Sequence, residues 1–99
     1  MDLTHARTIS QARSCLAALA DTAGTPRGGS AYEHVLLALD TIYGDDVPAL
    51  STLGLSRDRQ VLRKNAAEAI EDLADHGLDP LNVELLLAQL ASAIDSDDR

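Results

Sequence analysis

Few side chains in this sequence could do chemistry, and their spacing limits what that chemistry is. Glu33 follows Ser30 by three positions in SAYEHVLLAL, residues 30–39, and Glu84 takes the matching place in LNVELLLAQL, residues 81–90. Ser-x-x-Glu is the spacing of a capping box, in which hydroxyl and carboxylate each satisfy a free backbone N–H at a helix start. A carboxylate can equally accept the two-pronged hydrogen bond of a guanidinium. Arg57, Arg59, Arg63 and Lys64 form the one cation cluster, next to Glu68, Glu71, Asp72 and Asp75. That reads as a solvated helix face or as a docking patch for an acidic partner. His5, His34 and His76 are far apart in the chain and no HExxH or Cys/His cluster occurs, so no metal site is expected. His34 adjoins Glu33, but neighbouring helix residues point apart and cannot work as base and orienter. Asp45 with Asp46, and Asp95, Asp97 and Asp98, lack the glycine and loop spacing of a calcium site; they read as a cap and a solvated tail. Cys15 is the lone cysteine and falls on an apolar face, the place of a small core residue. No catalytic set, and no cofactor, is expected.

The elements that must position these residues are helices. Ile9, Ala12, Leu16, Leu19, Ala20 and Ala23 recur at steps of three and four within residues 3–23, the period of one helical stripe. Gly24 and TPRGG should stop that helix. Ser30 then opens a second helix, with Val35, Leu36, Leu39, Ile42 and Tyr43 inward and Gly44 at its end. DDVPALSTLG reads as a short third helix. Ser56 caps a fourth, with Val61, Leu62, Ala66, Ala69, Ile70, Leu73 and Ala74 as its stripe and His76–Gly77 as its close. Asp79 and Pro80 give a cap and first helical position for a fifth, with Leu86, Leu87, Leu90, Ala91 and Ile94 inward. The expected architecture is all-α: one compact bundle of about five helices over residues 1–94, followed by a fraying polar tail, 95–99.

Composition sets the outer bounds. The chain has 99 residues, enough for one core, and neither Phe nor Trp to fill it. A net charge of −8 argues against nucleic acid. No apolar run approaches a membrane span and the first residues lack a signal-peptide core, so a cytoplasmic, reducing environment is expected.

ARSCLAALADTAG before the first Glu helix is similar to AAEAIEDLADHG before the second. Two such hairpins related by a pseudo-twofold would bury both stripes, although Ala- and Leu-rich helices can look alike without a repeat. The longer stretch YEHVLLALDTIYGDDVPALSTLGLSRDRQVLRKNAAEAI resembles the N-terminal repeat domain of the Clp unfoldases. Glu33, His34, Val35, Leu36, Leu37, Leu39, Gly44, Leu50, Leu53, Gly54 and Leu55 fall on that family's pattern. The resemblance covers residues 6 to 70, and more faintly 66 to 91: one full repeat and the opening hairpin of a second. Tyr32 stands where the family has Thr, and Ala38 where it has Gly. No Walker A loop occurs, so the resemblance implies a docking module without ATPase activity. It also implies that Glu33 and Glu84, flanked by Tyr32 and Val83, contact a phosphoarginine guanidinium, with N–H groups at the helix start holding the phosphate. HGLDPLNVELLLAQL resembles a carrier-protein motif as well, but Pro80 at the attachment position has no hydroxyl, and that reading fails.

The function expected is therefore non-catalytic binding of a protein or peptide, as an adaptor or decoy for a Clp-type proteolytic machine. Two alternatives stand beside it. One is a small acidic regulator or immunity-type protein that blocks a basic partner. The other is a helical protein with a small-molecule pocket between its hairpins. An exposed leucine face could be covered by a second copy, giving a homodimer.

Overall fold

The computed structural model describes residues 3–44 and 58–98. All regular structure among them is helical: α1 (Leu3–Asp21), α2 (Pro26–Tyr43), α3 (Arg59–Asp72), a 3-10 turn (Leu73–His76) and α4 (Pro80–Asp97). The short helix expected at residues 45–54 and the Ser56 cap lie outside the described residues. The core is aliphatic, with Ile9, Leu16, Leu19, Leu39, Ile70, Leu73 and Leu86 buried around a single buried aromatic, Tyr32. Val35, Leu62, Val83 and Leu90 complete the core together with small side chains at Ala12, Cys15, Ala66, Ala69 and Ala93, which let the helix axes approach closely.

The most extensive packing joins α1 to α3 and α2 to α4. Ala12, Cys15, Leu16 and Leu19 of α1 correspond in sequence to Ala66, Ala69, Ile70 and Leu73, and all eight are buried. Tyr32, Val35 and Leu39 of α2 correspond to Val83, Leu86 and Leu90 of α4, again all buried. The repeated sequence is thus a repeated burial pattern: each helix of the first hairpin packs on its counterpart in the second.

Caps set the helix ends. Asp58 accepts from the N–H groups of Gln60 and Val61 at the start of α3, and Asp79 from that of Leu81 at the start of α4. Gly77 closes the α3 segment in a left-handed conformation, φ 94°. Its N–H reaches the Ala74 carbonyl while the Leu78 N–H reaches that of Leu73, and Leu78 packs on the core, the pattern of a Schellman close.

Three expectations are corrected. The second helix opens at Pro26 rather than Ser30: Thr25 is its N-cap, accepting from the Gly28 N–H at 3.0 Å, and Pro26 takes the first helical position. Ser30 lies a turn inside, so there is no Ser30–Glu33 capping box. The first helix does end just before this stretch, at Asp21, but PRGG forms the first turn of α2, where its glycines let helices meet. A Cβ on Gly28 would lie 2.8 Å from the Asp97 Cα, and one on Gly29 3.3 Å from the Ala20 carbonyl oxygen. Finally, α4 runs through Asp97, whose side chain is buried, so residues 95–97 are helix rather than tail. Within the stripes, Val61, Ala74 and Ala91 are exposed, while Val83 and Ala93 are buried.

Gly28→Ala tests this close approach with a sign opposite to helix propensity. Propensity favours Ala by about 1 kcal/mol. The new methyl group would meet backbone that cannot swing aside, and overpacking of this kind costs about 1–3 kcal/mol. We expect a net loss, read from the urea midpoint at unchanged slope.

Candidate functional site

The densest polar cluster forms where the ends of α1 and α4 meet the starts of α2 and α3. Asp97 is at its centre. Its Oδ1 accepts the Gly24 N–H at 2.9 Å, and its Oδ2 accepts from the Tyr32 hydroxyl at 3.1 Å, from Arg63 at 2.8 Å and from Arg59. Arg63 also donates to both carboxylate oxygens of Asp98 and, through Nε, to the Tyr32 hydroxyl at 3.3 Å. Burial alone would raise the Asp97 pKa, but the Gly24 N–H, Arg63, Tyr32 and Arg59 together hold it below the ordinary carboxylate value. The Arg63 pKa is raised, first by its hydrogen bond to Asp98 and against the cost of burial, with Asp97 and Tyr32 adding to it. Burial pushes the Tyr32 hydroxyl up.

Perturbed groups in a cluster can mark an active site, but this one is saturated. A carboxylate offers about four lone-pair positions, and Asp97 already holds four donors with its side chain 2% exposed. Three of those donors meet Oδ2 and one meets Oδ1, so the carboxylate is engaged by the chain's own groups and shielded from solvent. The cluster therefore serves as a clasp joining four segments of the chain. Its two central charges carried a signal in the sequence: Arg63 continues the stripe of Ala66, Ile70 and Leu73, and Asp97 continues that of Leu86, Leu90 and Ala93. A charge of each sign on an apolar stripe is the pattern of a buried pair.

The residues singled out as a binding set separate. Tyr32 is fully buried in the clasp and Val83 in the core, so neither is open to a ligand. Glu33 and Glu84 are both exposed. Glu33 stands two turns beyond the Thr25 cap, where backbone N–H groups are engaged within the helix, and Glu84 lies more than a turn into α4. The phosphate contacts implied by the Clp resemblance therefore have no free N–H groups at Glu33. The cation patch also divides. Arg57 lies outside the described residues, and Arg59 and Arg63 turn inward to Asp97. Lys64 is exposed, with its ammonium 3.9 Å from Glu68 one turn on.

At the opposite pole, folding brings together two histidines distant in sequence. His5 and His76 stack at 4.9 Å with their planes 7° apart, and His5 Nε2 lies 3.2 Å from the Tyr43 hydroxyl. Among the described residues no group of three or more His, Cys, Asp or Glu side chains could hold a metal ion. Cys15 is buried, and that burial pushes its thiol pKa up, against reactivity. Arg13 grips Asp40 with two hydrogen bonds and ties α1 to α2. No described helix is long and apolar enough to cross a membrane.

Three of the exposed large apolar side chains lie on the outer face of the α2–α4 pair; Leu3 on α1 and Val61 on α3 are exposed elsewhere. The close approach of Gly28 and Tyr32 to Asp97, and the one cavity that Ala31 and His34 share with Gln89, Ser92 and Ala93, show that the two helices run antiparallel. Leu37 lies between the inward Val35 and Leu39, on the far side of α2, and is 63% exposed. Leu81 and Leu85, one turn apart on α4, are 73% and 55% exposed. Glu33 precedes Leu37 by one turn, and Glu84 follows Leu81 by nearly one, so a carboxylate stands beside the leucines on each helix. Next to them, Ala31, His34, Gln89, Ser92 and Ala93 line a shallow cavity of about 200 Å³. Comparison with protein-family models, with curated proteins and with solved structures finds no match to this chain.

Proposed function

We propose that this chain is a non-catalytic protein- or peptide-binding module that works through the outer face of α2 and α4. The observation that carries the reading is the exposed set Leu37, Leu81 and Leu85 on two adjacent helices, with Glu33 and Glu84 beside them. Apolar side chains grouped on one face are characteristic of interaction surfaces. Carboxylates bordering them, on a chain of net charge −8, suit a partner that is both amphipathic and basic. Glu33 and Glu84 then act as rim charges that orient the partner. The polar clusters are internal clasps, which supports a role without catalysis. A place as adaptor or decoy beside a Clp-type machine rests on the sequence resemblance alone.

A labelled helical peptide of alternating Leu and Lys turns provides the test, read by fluorescence anisotropy. Leu37→Ser combined with Leu85→Ser should weaken binding at least about ten-fold, equivalent to 1.4 kcal/mol. The unfolding midpoint should move little, because both side chains are more than half exposed. An affinity that ignores both leucines but collapses as salt rises from about 0.05 to 0.5 M would contradict the leucine surface and favour the acidic-regulator reading. Sedimentation of the free protein checks whether the same leucines pair two copies.

A further inference from the structure

Charge is scarce on the outer surface of α2 and α4. Among the exposed side chains of these two helices, the charged ones are Arg27, Glu33, Glu84 and Asp95. Arg27 and Asp95 stand toward the clasp, whereas Glu33 and Glu84 lie on either side of Leu37 and Leu85. The two glutamates occupy opposite edges of the groove. Glu33 shares a side of α2 with Gly29 and Asp40, which meet Ala20 and Arg13 of α1. Glu84 is its counterpart in the repeat and points away from Gln89 and Ser92, the α4 residues that share a cavity with Ala31 and His34 of α2. The antiparallel packing fixes their register. Asp97 is level with Gly28 to Tyr32, and Ser92 with Ala31 to His34, which brings Glu84 level with Thr41. Glu33 and Glu84 are therefore offset along the groove by the stretch from Glu33 to Thr41, about 12 Å at 1.5 Å per residue.

A helix matches this diagonal. Along the middle of α2 and α4 the backbone groups are bonded within their own helices, so an extended segment would find no edge to pair with. A helix satisfies its own backbone and seats side-chain ridges in the groove between two others. Nine positions on a helix make two and a half turns, so side chains that far apart point to opposite edges and stand about 13.5 Å apart along the axis. We propose that the α2–α4 groove receives an amphipathic helix whose two basic residues, about nine positions apart, meet Glu33 and Glu84 while the apolar residues between them rest on Leu37 and Leu85. The proposal rests on the binding role of the α2–α4 face and names the form and charge spacing of the partner.

Two peptides of identical composition separate the spacing from the surface. Both carry the same leucines and two lysines and are held helical by a lactam bridge on the side away from the leucines. In one the lysines are about nine positions apart; in the other they are about seven apart, which puts them on one edge. In fluorescence anisotropy with the intact chain at low salt, the nine-spaced peptide should bind about five-fold more tightly, the worth of two exposed ion pairs. Glu33→Gln combined with Glu84→Gln should erase that difference. Both side chains are exposed, so the unfolding midpoint should stay in place. Glu33→Lys should weaken the nine-spaced peptide, and exchanging one of its lysines for glutamate should restore the loss. Equal affinities, the reverse order, or a difference that persists in the double Gln variant would overturn the spacing and leave the leucine surface standing. If neither peptide binds, or if binding ignores Leu37→Ser with Leu85→Ser, both readings fall.

Discussion

Asp97→Ala is expected to cost about 3–5 kcal/mol, because it removes the buried carboxylate shared by Arg59 and Arg63, leaves Arg63 with only the more exposed Asp98, and strands the Gly24 N–H and the Tyr32 hydroxyl. Domains of this size are stable by about 5–15 kcal/mol, so the variant should lie at the edge of folding and is best measured by urea titration in the cold. The loss comes from breaking the set rather than from the worth of an ion pair. Replacing Arg63 and Asp97 together by apolar residues of similar volume should cost less than the sum of the two single changes, the remaining loss coming from the unpaired Gly24 N–H and Tyr32 hydroxyl. The same carboxylate links stability to pH. Its folded pKa lies below the unfolded value of about 3.9. The stabilisation is therefore complete above that value and is lost as pH falls through the folded pKa. Asp97→Asn should lack this part of the acid dependence, and urea midpoints between about pH 2 and 6 would show it. A wild type and an Asn variant with parallel acid profiles would deny Asp97 its role.

The second large effect is in the core. Leu86 is 1% exposed at the centre of the α2–α4 contact, and Leu86→Ala should cost about 2–5 kcal/mol through lost burial and the cavity left behind. Leu36, on the stripe by spacing but only half-buried, should lose clearly less on the same change. Equal losses at the two positions would mean that the α1–α2 side is packed more tightly than the structure shows. Losses below about 1 kcal/mol at Leu86 would contradict the pairing of α2 with α4.

The helices were legible because their stripes are long and their caps local. Asp79–Pro80 and His76–Gly77 mark ends of segments just where the structure places ends. The same cap grammar was present at Thr25–Pro26, but the two glycines that follow made the stretch look like a break. Their reason is tertiary: Gly28 is small because Asp97, distant in sequence, packs its backbone there. Local spacing carries no trace of that partner. Asp97 itself was hidden by acidic neighbours that made the last turn look like tail, although its spacing from Ala93 and Leu90 continued the stripe. Glu33 and Glu84 show the reverse. Their matching positions do reflect a repeated burial pattern, in which the residue before each is buried and each glutamate faces water. The repeat thus accounts for their placement, whereas ligand contacts depend on which helix starts are free. The leucine face and the Gln89 cavity were not legible, because exposure depends on which neighbouring helix covers a stripe.

The most direct test of the central claim, that the outer face of α2 and α4 is the working surface, is a residue-by-residue NMR shift map of the free chain titrated with the Leu–Lys peptide. The account predicts that the largest changes gather on Leu37, Leu81 and Leu85 and extend to Glu33, Glu84 and His34. Changes centred on the acidic run Glu68, Glu71, Asp72 and Asp75, with Leu37 and Leu85 unmoved, would contradict it.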